Sequence, residues 1–212
     1  MAKEGLGVIA SITLLFLILL AGAVISGAWV LTIFAAISLI LLPFTVYFFR
    51  DPDRTTPNGD NLIVSPADGK IIKIEEVEEE IFFKQKVRLI SIFMSVLDVH
   101  VNRMPIDGRV TYFNYQRGKF HRAFKDDASY ENEQTVIGIE NPRTRLLFKQ
   151  IAGIIARRIV CPVREGWKVQ KGERFGMIKF GSRVDIFLPN NVNLLVKLNE
   201  HVKAGETIIG TY

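Results

Sequence analysis

Cysteine is almost missing from this chain. Cys161 stands alone among 212 residues, so no disulfide can form within it, which suits a reducing compartment. Metal-ligand spacing is missing too: no CxxC or HxxxH pair occurs, and no bound metal is expected. The net charge of +5 comes without a clustered basic stripe or a nucleic-acid module, so nucleic acid is not the expected partner. Helical periodicity is not sustained over more than about ten residues anywhere after residue 50, which argues against a helical catalytic domain. The longest absence is of charge itself: none of the 45 residues from Gly5 to Phe49 carries one.

That run is long enough for two passes, since one spanning helix needs roughly 20 apolar residues. Ser26-Gly27 near its middle suits a tight reversal. A cleaved signal peptide would account for Lys3 and the Ala21–Ala23 stretch, but it leaves Ala28–Phe49 unexplained. Two passes put both ends on one side. Lys3, Arg50 and Arg54 flank the pair and the turn is uncharged, so the expected place is the cell membrane, with the following domain on the cytoplasmic face. The expected organisation is an anchor over 1–49, a Pro- and Gly-bearing linker over 50–60, and one domain over 61–212. A basic domain held there meets anionic lipid, and a membrane is its expected partner.

Short β-branched runs fill the domain: Lys70–Val77, Val87–Met94, Arg109–Tyr115, Thr135–Glu140, Leu146–Ile151, Phe175–Phe180, Val184–Leu188 and Val192–Leu198. Ile154–Val160 fits a strand or a short helix. Val169-Gln-Lys-Gly172-Glu173 and Val202-Lys-Ala-Gly205-Glu206 share one turn pattern, of a kind found in lipoyl-carrier folds. The expected fold is mainly β, an antiparallel barrel or sandwich behind a transmembrane helical hairpin.

Four signatures bear on chemistry: Ser65-Pro66-Ala67-Asp68-Gly69, Asp98-Val99-His100-Val101-Asn102-Arg103, Lys119-Phe120-His121-Arg122-Ala123-Phe124, and Phe180-Gly181-Ser182-Arg183-Val184-Asp185. Singly each has an ordinary explanation: a turn, a hydrogen-bonded structural histidine, a solvated strand end, a bend. Together, with the Phe48-Phe49-Arg50-Asp51-Pro52 exit from the apolar run, they resemble the phosphatidylserine decarboxylase family in its short, membrane-anchored form. The resemblance covers about Phe48 to Tyr212.

The resemblance implies a proenzyme that cuts its own Gly181–Ser182 bond, giving a β chain 1–181 and an α chain 182–212 that stay associated. Ser182 would become a pyruvoyl group, the covalent cofactor whose carbonyl forms a Schiff base with a serine phospholipid. The product would be the ethanolamine lipid plus CO2, in ester-linked or archaeal ether-linked form. His100 would be the base and Asp68 its orienting partner, in the manner of a Ser–His–Asp triad. Histidine suits the role because its pKa, ~6.5, lies near working pH. Longer members carry a second histidine where this chain has Arg103, and Leu-Gly-Ser-Thr where it has Phe-Gly-Ser-Arg.

Two other readings compete. A membrane-anchored serine hydrolase would use the same three residues, but no Gly-x-Ser-x-Gly elbow is present. A non-enzymatic lipoyl-like adaptor would ignore Ser182. His201 is expected to be exposed and Cys161 buried. The 119–124 segment suits a loop meeting lipid phosphate or a strand end, and association of identical copies is compatible with the sequence.

Overall fold

The computed structural model describes residues 1–118, 132–153, 158–179 and 182–212. They form two compact units, Met1–Pro52 and Asp53–Tyr212.

In the first unit, α1 (Lys3–Ser26) and α2 (Trp29–Phe48) form a hairpin. Gly27 makes the reversal in the left-handed region, φ 65°, and its N–H closes on the Ala23 carbonyl at 2.9 Å. At the open end the Ala2 N–H donates to the Phe49 carbonyl at 2.9 Å. Small residues let the helices meet: a side chain at Gly5 would collide with the Phe49 ring. Leu14, Ile18 and Ile40 point outward, and both helices are long and apolar enough to cross a bilayer.

The second unit is antiparallel β throughout. Its strands are β1 (Leu62–Val64), β2 (Gly69–Glu79), β3 (Gln85–Met94), β4 (Val101–Arg103), β5 (Gly108–Gln116), β6 (Gln134–Glu140) and β7 (Arg145–Ala152). They continue with β8 (Ile159–Val160), β9 (Lys168–Val169), β10 (Arg174–Ile178), β11 (Ser182–Leu188), β12 (Asn193–Leu194), β13 (His201–Val202) and β14 (Ile208–Thr211). One sheet of eight runs β13-β2-β3-β11-β7-β6-β5-β9, and two sheets of three run β1-β14-β12 and β4-β10-β8. The eight-stranded sheet curls as a half-barrel. One face packs the main core, which includes Ile90, Ile92, Ile137, Phe148, Val184 and Ile186. The other carries a smaller cluster around Phe83, Leu89, Leu147 and Phe187.

The strand order is a near-palindrome, and the halves match in detail. Gly69 at the start of β2 pairs with Val202, and Gly108 at the start of β5 pairs with Val169. Each of these strands is irregular two residues further on, at Ile71/Lys73 and Val110/Tyr112. The Gly205 N–H bonds to the Ser65 carbonyl and the Gly172 N–H to the Met104 carbonyl, both at 2.8 Å. The two Val-x-x-Gly-Glu turns are therefore equivalent, with left-handed glycines at φ 73° and 79°. Ser65-Pro-Ala-Asp-Gly69 corresponds to Met104-Pro-Ile-Asp-Gly108. The unit is thus a seven-strand motif present twice, with β4–β10 inserted between β3 and β11 of the other copy.

This nesting places the site. In the inserted copy, β6 and β7 are joined by a short turn at residues 141–144. In the outer copy the equivalent hairpin, β3 with β11, is opened at the pair Met94↔Ser182. Only two connections cross between the copies. One follows β3 and reaches His100 just before β4; the other precedes β11, which Ser182 opens.

Most expected strands are present, and β2 runs through to Glu79, two residues beyond the expected Val77. Val192–Leu198 is not a full strand. Only Asn193–Leu194 pairs, because the chain turns at Lys197–Glu200, where Asn199 takes φ 69° and Glu200 caps the Lys197 N–H. Of Ile154–Val160, residues 154–157 lie outside the described set, and Ile159–Val160 is strand.

Candidate active site

Asp68 is held by the turn before β2. The Pro66 carbonyl accepts from the Arg103 N–H at 3.0 Å and from Asn102 Nδ2 at 3.4 Å. Gly69 follows at φ 150°, where a side chain would run into the Phe93 carbonyl, so only glycine fits. The carboxylate accepts from the Ala204 N–H at 2.8 Å and from Arg54 Nη2 at 2.7 Å. Arg54 also reaches Glu206 at 3.0 Å. Burial pushes the Asp68 pKa up, and outweighs the lowering effect of Ala204 and Arg54. Asp98 adds a like charge close enough to raise it further.

Asp107, the counterpart of Asp68, accepts from the Lys171 N–H at 2.9 Å. Bonding to the Val-x-x-Gly-Glu turn of its own copy is thus a property of the repeated motif. What sets Asp68 apart is Arg54 and the nearness of Asp98.

His100 is fully buried. Its Nδ1 lies 3.0 Å from the Asp98 carbonyl, and a carbonyl only accepts, so Nδ1 carries the proton and Nε2 the lone pair. Asp98 is itself fixed, its carboxylate accepting from the Ser95 N–H at 2.7 Å. The partner of Nδ1 is therefore this backbone carbonyl, while the bonds of Asp68 run to Arg54 and Ala204.

Ser182 opens β11 with its side chain fully buried in the core face, in a row with Met94 and Ala152. Its hydroxyl lies 3.3 Å from Met94 Sδ. Asn102 Nδ2 approaches the same sulfur at 3.8 Å. From there a buried chain runs on: Gln150 Nε2 donates to Asn102 Oδ1 at 2.8 Å, and Thr135 Oγ1 to Gln150 Oε1 at 2.7 Å. Asn102, Gln150 and Thr135 were not expected from the sequence. Asn102 alone left a signal, as the second polar residue of Asp98-x-His100-x-Asn102.

The ends of β2, β3 and β11 and the start of β4 thus bring the Asp68 turn, His100 and Ser182 to one end of the sheet. Gly181 and the 119–124 segment lie outside the described residues. No cluster of three or more metal-ligating side chains occurs among the described residues. His201 is exposed as expected, although in β13, and Cys161 is only partly buried.

Comparison with known proteins shows that the chain is a carboxy-lyase by family. A family model for phosphatidylserine decarboxylase matches residues 41–210. The phosphatidylserine decarboxylase proenzyme of Syntrophus aciditrophicus is 45% identical over 212 residues, 100% of this chain and 97% of its own. Those of Chlorobium limicola and Chlorobium phaeobacteroides are 47% and 49% identical over 175 residues, each alignment covering 82% of both chains. The chain belongs to the phosphatidylserine decarboxylase family. That membership displaces the serine hydrolase and the adaptor module.

Proposed function

We propose that this protein cuts itself between Gly181 and Ser182 and then decarboxylates phosphatidylserine, or its ether-lipid counterpart, to the ethanolamine lipid and CO2. One observation carries the reading. The serine of the Gly-Ser pair is fully buried at the start of a central strand, at one of two crossings between nested repeats.

In the uncut chain, Ser182 Oγ attacks the carbonyl carbon of Gly181 and gives up its proton to His100 Nε2. The amide C–N bond breaks and an ester forms. Loss of the Ser182 Cα proton then expels the Gly181 carboxylate, leaving a dehydroalanine. Tautomerisation to the imine and addition of one water release ammonia and leave the ketone. Amide resonance opposes the first step, so the fold must supply geometry and a placed base. The Asp98 carbonyl holds the imidazole in the tautomer that can accept a proton. Asp68, tied to Arg54, contributes negative charge beside that turn.

The residues present suit the pyruvoyl group. Met94 and Ala152 flank the position with apolar surface, which keeps bulk water from a reactive carbonyl. The group supplies an electrophilic carbon for a primary amine and a conjugated carbonyl that takes up the electron pair released with CO2. On this reading His100 also returns a proton to the substrate's α carbon.

The two apolar helices support a membrane anchor, and Lys3, Arg50 and Arg54 support a cytoplasmic domain. The partners are then the serine phospholipid, the bilayer and the two fragments of one precursor. Intact mass of the purified protein tests the reading. It should show fragments 1–181 and 182–212, the smaller trapped as a secondary amine by cyanoborohydride and a primary amine; Ser182→Ala should remain whole. A fully active preparation containing only uncut chain would refute it.

A further inference from the structure

Three polar side chains, Asn102, Gln150 and Thr135, are buried in the apolar core near Ser182, and the steps of self-cleavage given above leave them without a task. Gln150 and Thr135 are cross-strand partners on β7 and β6. Gln150 also stands opposite Val184, on the face of β11 that Ser182 shares. Its neighbour Lys149 points the other way, into a polar cleft on the far face of the sheet. Asn102 comes from β4, opposite Gly176 of β10. A side chain at Gly176 would run into the Val160 carbonyl and crowd the Gln150 amide, so this glycine leaves the space in which the two amides meet.

The hydrogen bonds fix which way each amide faces. The Pro66 carbonyl can only accept, so the Asn102 atom 3.4 Å from it is the donor Nδ2. Asn102 Oδ1 then faces Gln150 at 2.8 Å, and the atom it meets there is Nε2. Gln150 Oε1 is left to accept the Thr135 hydroxyl proton at 2.7 Å. Turned over, Asn102 would set its own carbonyl oxygen against that of Pro66. Burying three such groups is costly unless their bonds are made, and the bonds made here hold one amide with its donor towards Ser182.

The second N–H of Asn102 has a poor partner. Among the described residues it meets only Met94 Sδ, at 3.8 Å, the sulfur that the Ser182 hydroxyl touches at 3.3 Å. Thioether sulfur accepts weakly, and negative charge on the Ser182 oxygen would draw the N–H away from it.

Resting on the self-cleavage reading, we propose that Asn102 is a catalytic residue of its second step, donating to Ser182 Oγ as the ester breaks, with Gln150 and Thr135 as its positioning residues. In the ester, Oγ joins Ser182 Cβ to the Gly181 carbonyl carbon. The Cα proton passes to the histidine base and its bonding pair forms the Cα=Cβ double bond. The Cβ–Oγ bond breaks and that pair stays on Oγ, which leaves as one of the two oxygens of the Gly181 carboxylate. Charge therefore grows on Oγ in this step, whereas in the preceding acyl shift it grows on the carbonyl oxygen. A donor aimed at Oγ speeds the elimination and leaves ester formation nearly unchanged.

The test uses freshly synthesised full-length precursor, followed by timed intact mass. Asn102→Ala should release the 182–212 fragment about 10²-fold more slowly than the wild type, the effect of losing one donor to a developing oxyanion. Hydroxylamine at neutral pH separates the two steps, because it cleaves an ester far faster than an amide. With it, Asn102→Ala should yield 182–212 carrying a free N-terminal serine, open to Edman degradation. His100→Ala, slowed before the ester, should yield little. Gln150→Met keeps the donor and frees its orientation; it should give the same serine-ended fragment with a smaller loss of rate. Ester formation needs an assembled site, so that fragment also reports that each variant folds. Cleavage of Asn102→Ala at the wild-type rate would overturn the proposal. So would slow cleavage in both variants with no serine-ended fragment on adding hydroxylamine. A wild type that stays whole would refute the self-cleavage reading itself, whereas a wild type that cuts beside an equally fast Asn102→Ala would refute only the part given to Asn102.

Discussion

The hydroxyl of Ser182 lies 3.3 Å from the thioether of Met94, the residue paired with it across the opened hairpin. Sulfur is a weak acceptor and takes no part in acyl transfer. Met94 therefore acts by packing and by aiming the hydroxyl. Met94→Leu conserves volume and should cost less than ~1.5 kcal/mol. Its self-cleavage half-time should change by less than about tenfold, the worth of one weak hydrogen bond. Met94→Ala leaves a cavity and should cost ~2–5 kcal/mol. Denaturant melts and timed intact mass would check both.

His100 differs in kind, because a placed base contributes ~10²–10⁴-fold to a proton-transfer step. His100→Ala should slow self-cleavage by that range while the strands persist by circular dichroism. Cleavage at the wild-type rate would remove His100 from the first reaction.

Asp68 and Asp107 form an internal control. Both accept from the Val-x-x-Gly-Glu turn of their own copy, but only Asp68 meets Arg54. Asparagine keeps an acceptor and loses the charge. Asp107→Asn should cut itself normally, with stability within ~1.5 kcal/mol. Asp68→Asn should slow cleavage by an order of magnitude or more at comparable stability. Equal rates would reduce Asp68 to a turn residue.

Cys161 offers a test by pH. Burial raises its thiol from 9.0 to about 11. A raised folded pKa contributes stability that is present below the unfolded value and lost as pH climbs through the folded one. Stability should therefore fall between about pH 9 and 11 more steeply in the wild type than in Cys161→Ala. At pH 8, a maleimide should label the native protein slowly and the denatured protein at once.

The helical hairpin was legible because 45 uncharged residues admit few other readings, and its turn because Gly27 follows Ser26. The long central strands were legible from their β-branched runs. Edge strands of two or three residues, such as β4 and β13, were not, since so short a run has no period. The repeat showed itself in the Val-x-x-Gly-Glu turns. A second echo, Pro-Ala-Asp-Gly against Pro-Ile-Asp-Gly, is too short to mark a repeat by itself, and the matched bonds of Asp68 and Asp107 expose it. Ser182 and His100 stand out in the sequence through their motifs. The partner of His100 Nδ1 was not, because a backbone carbonyl leaves no trace in residue identity. Gln150 and Lys149 stay hidden for another reason: alternate residues of β7 serve opposite faces, and nothing local says what each face meets.

β11 is zipped to β3 over seven residue pairs and to β7 over six. If the chain is cut before Ser182 as proposed, the central strand would come from a separate 31-residue piece, which would also bring β12, β13 and β14. Unfolding then liberates a peptide, and recovery becomes an encounter between two molecules whose yield depends on dilution. On that reading an uncut precursor would renature alone, and the cut enzyme at low concentration would not. The proposed chemistry at residue 182 would thereby turn a reversible fold into one that must be completed before the cut.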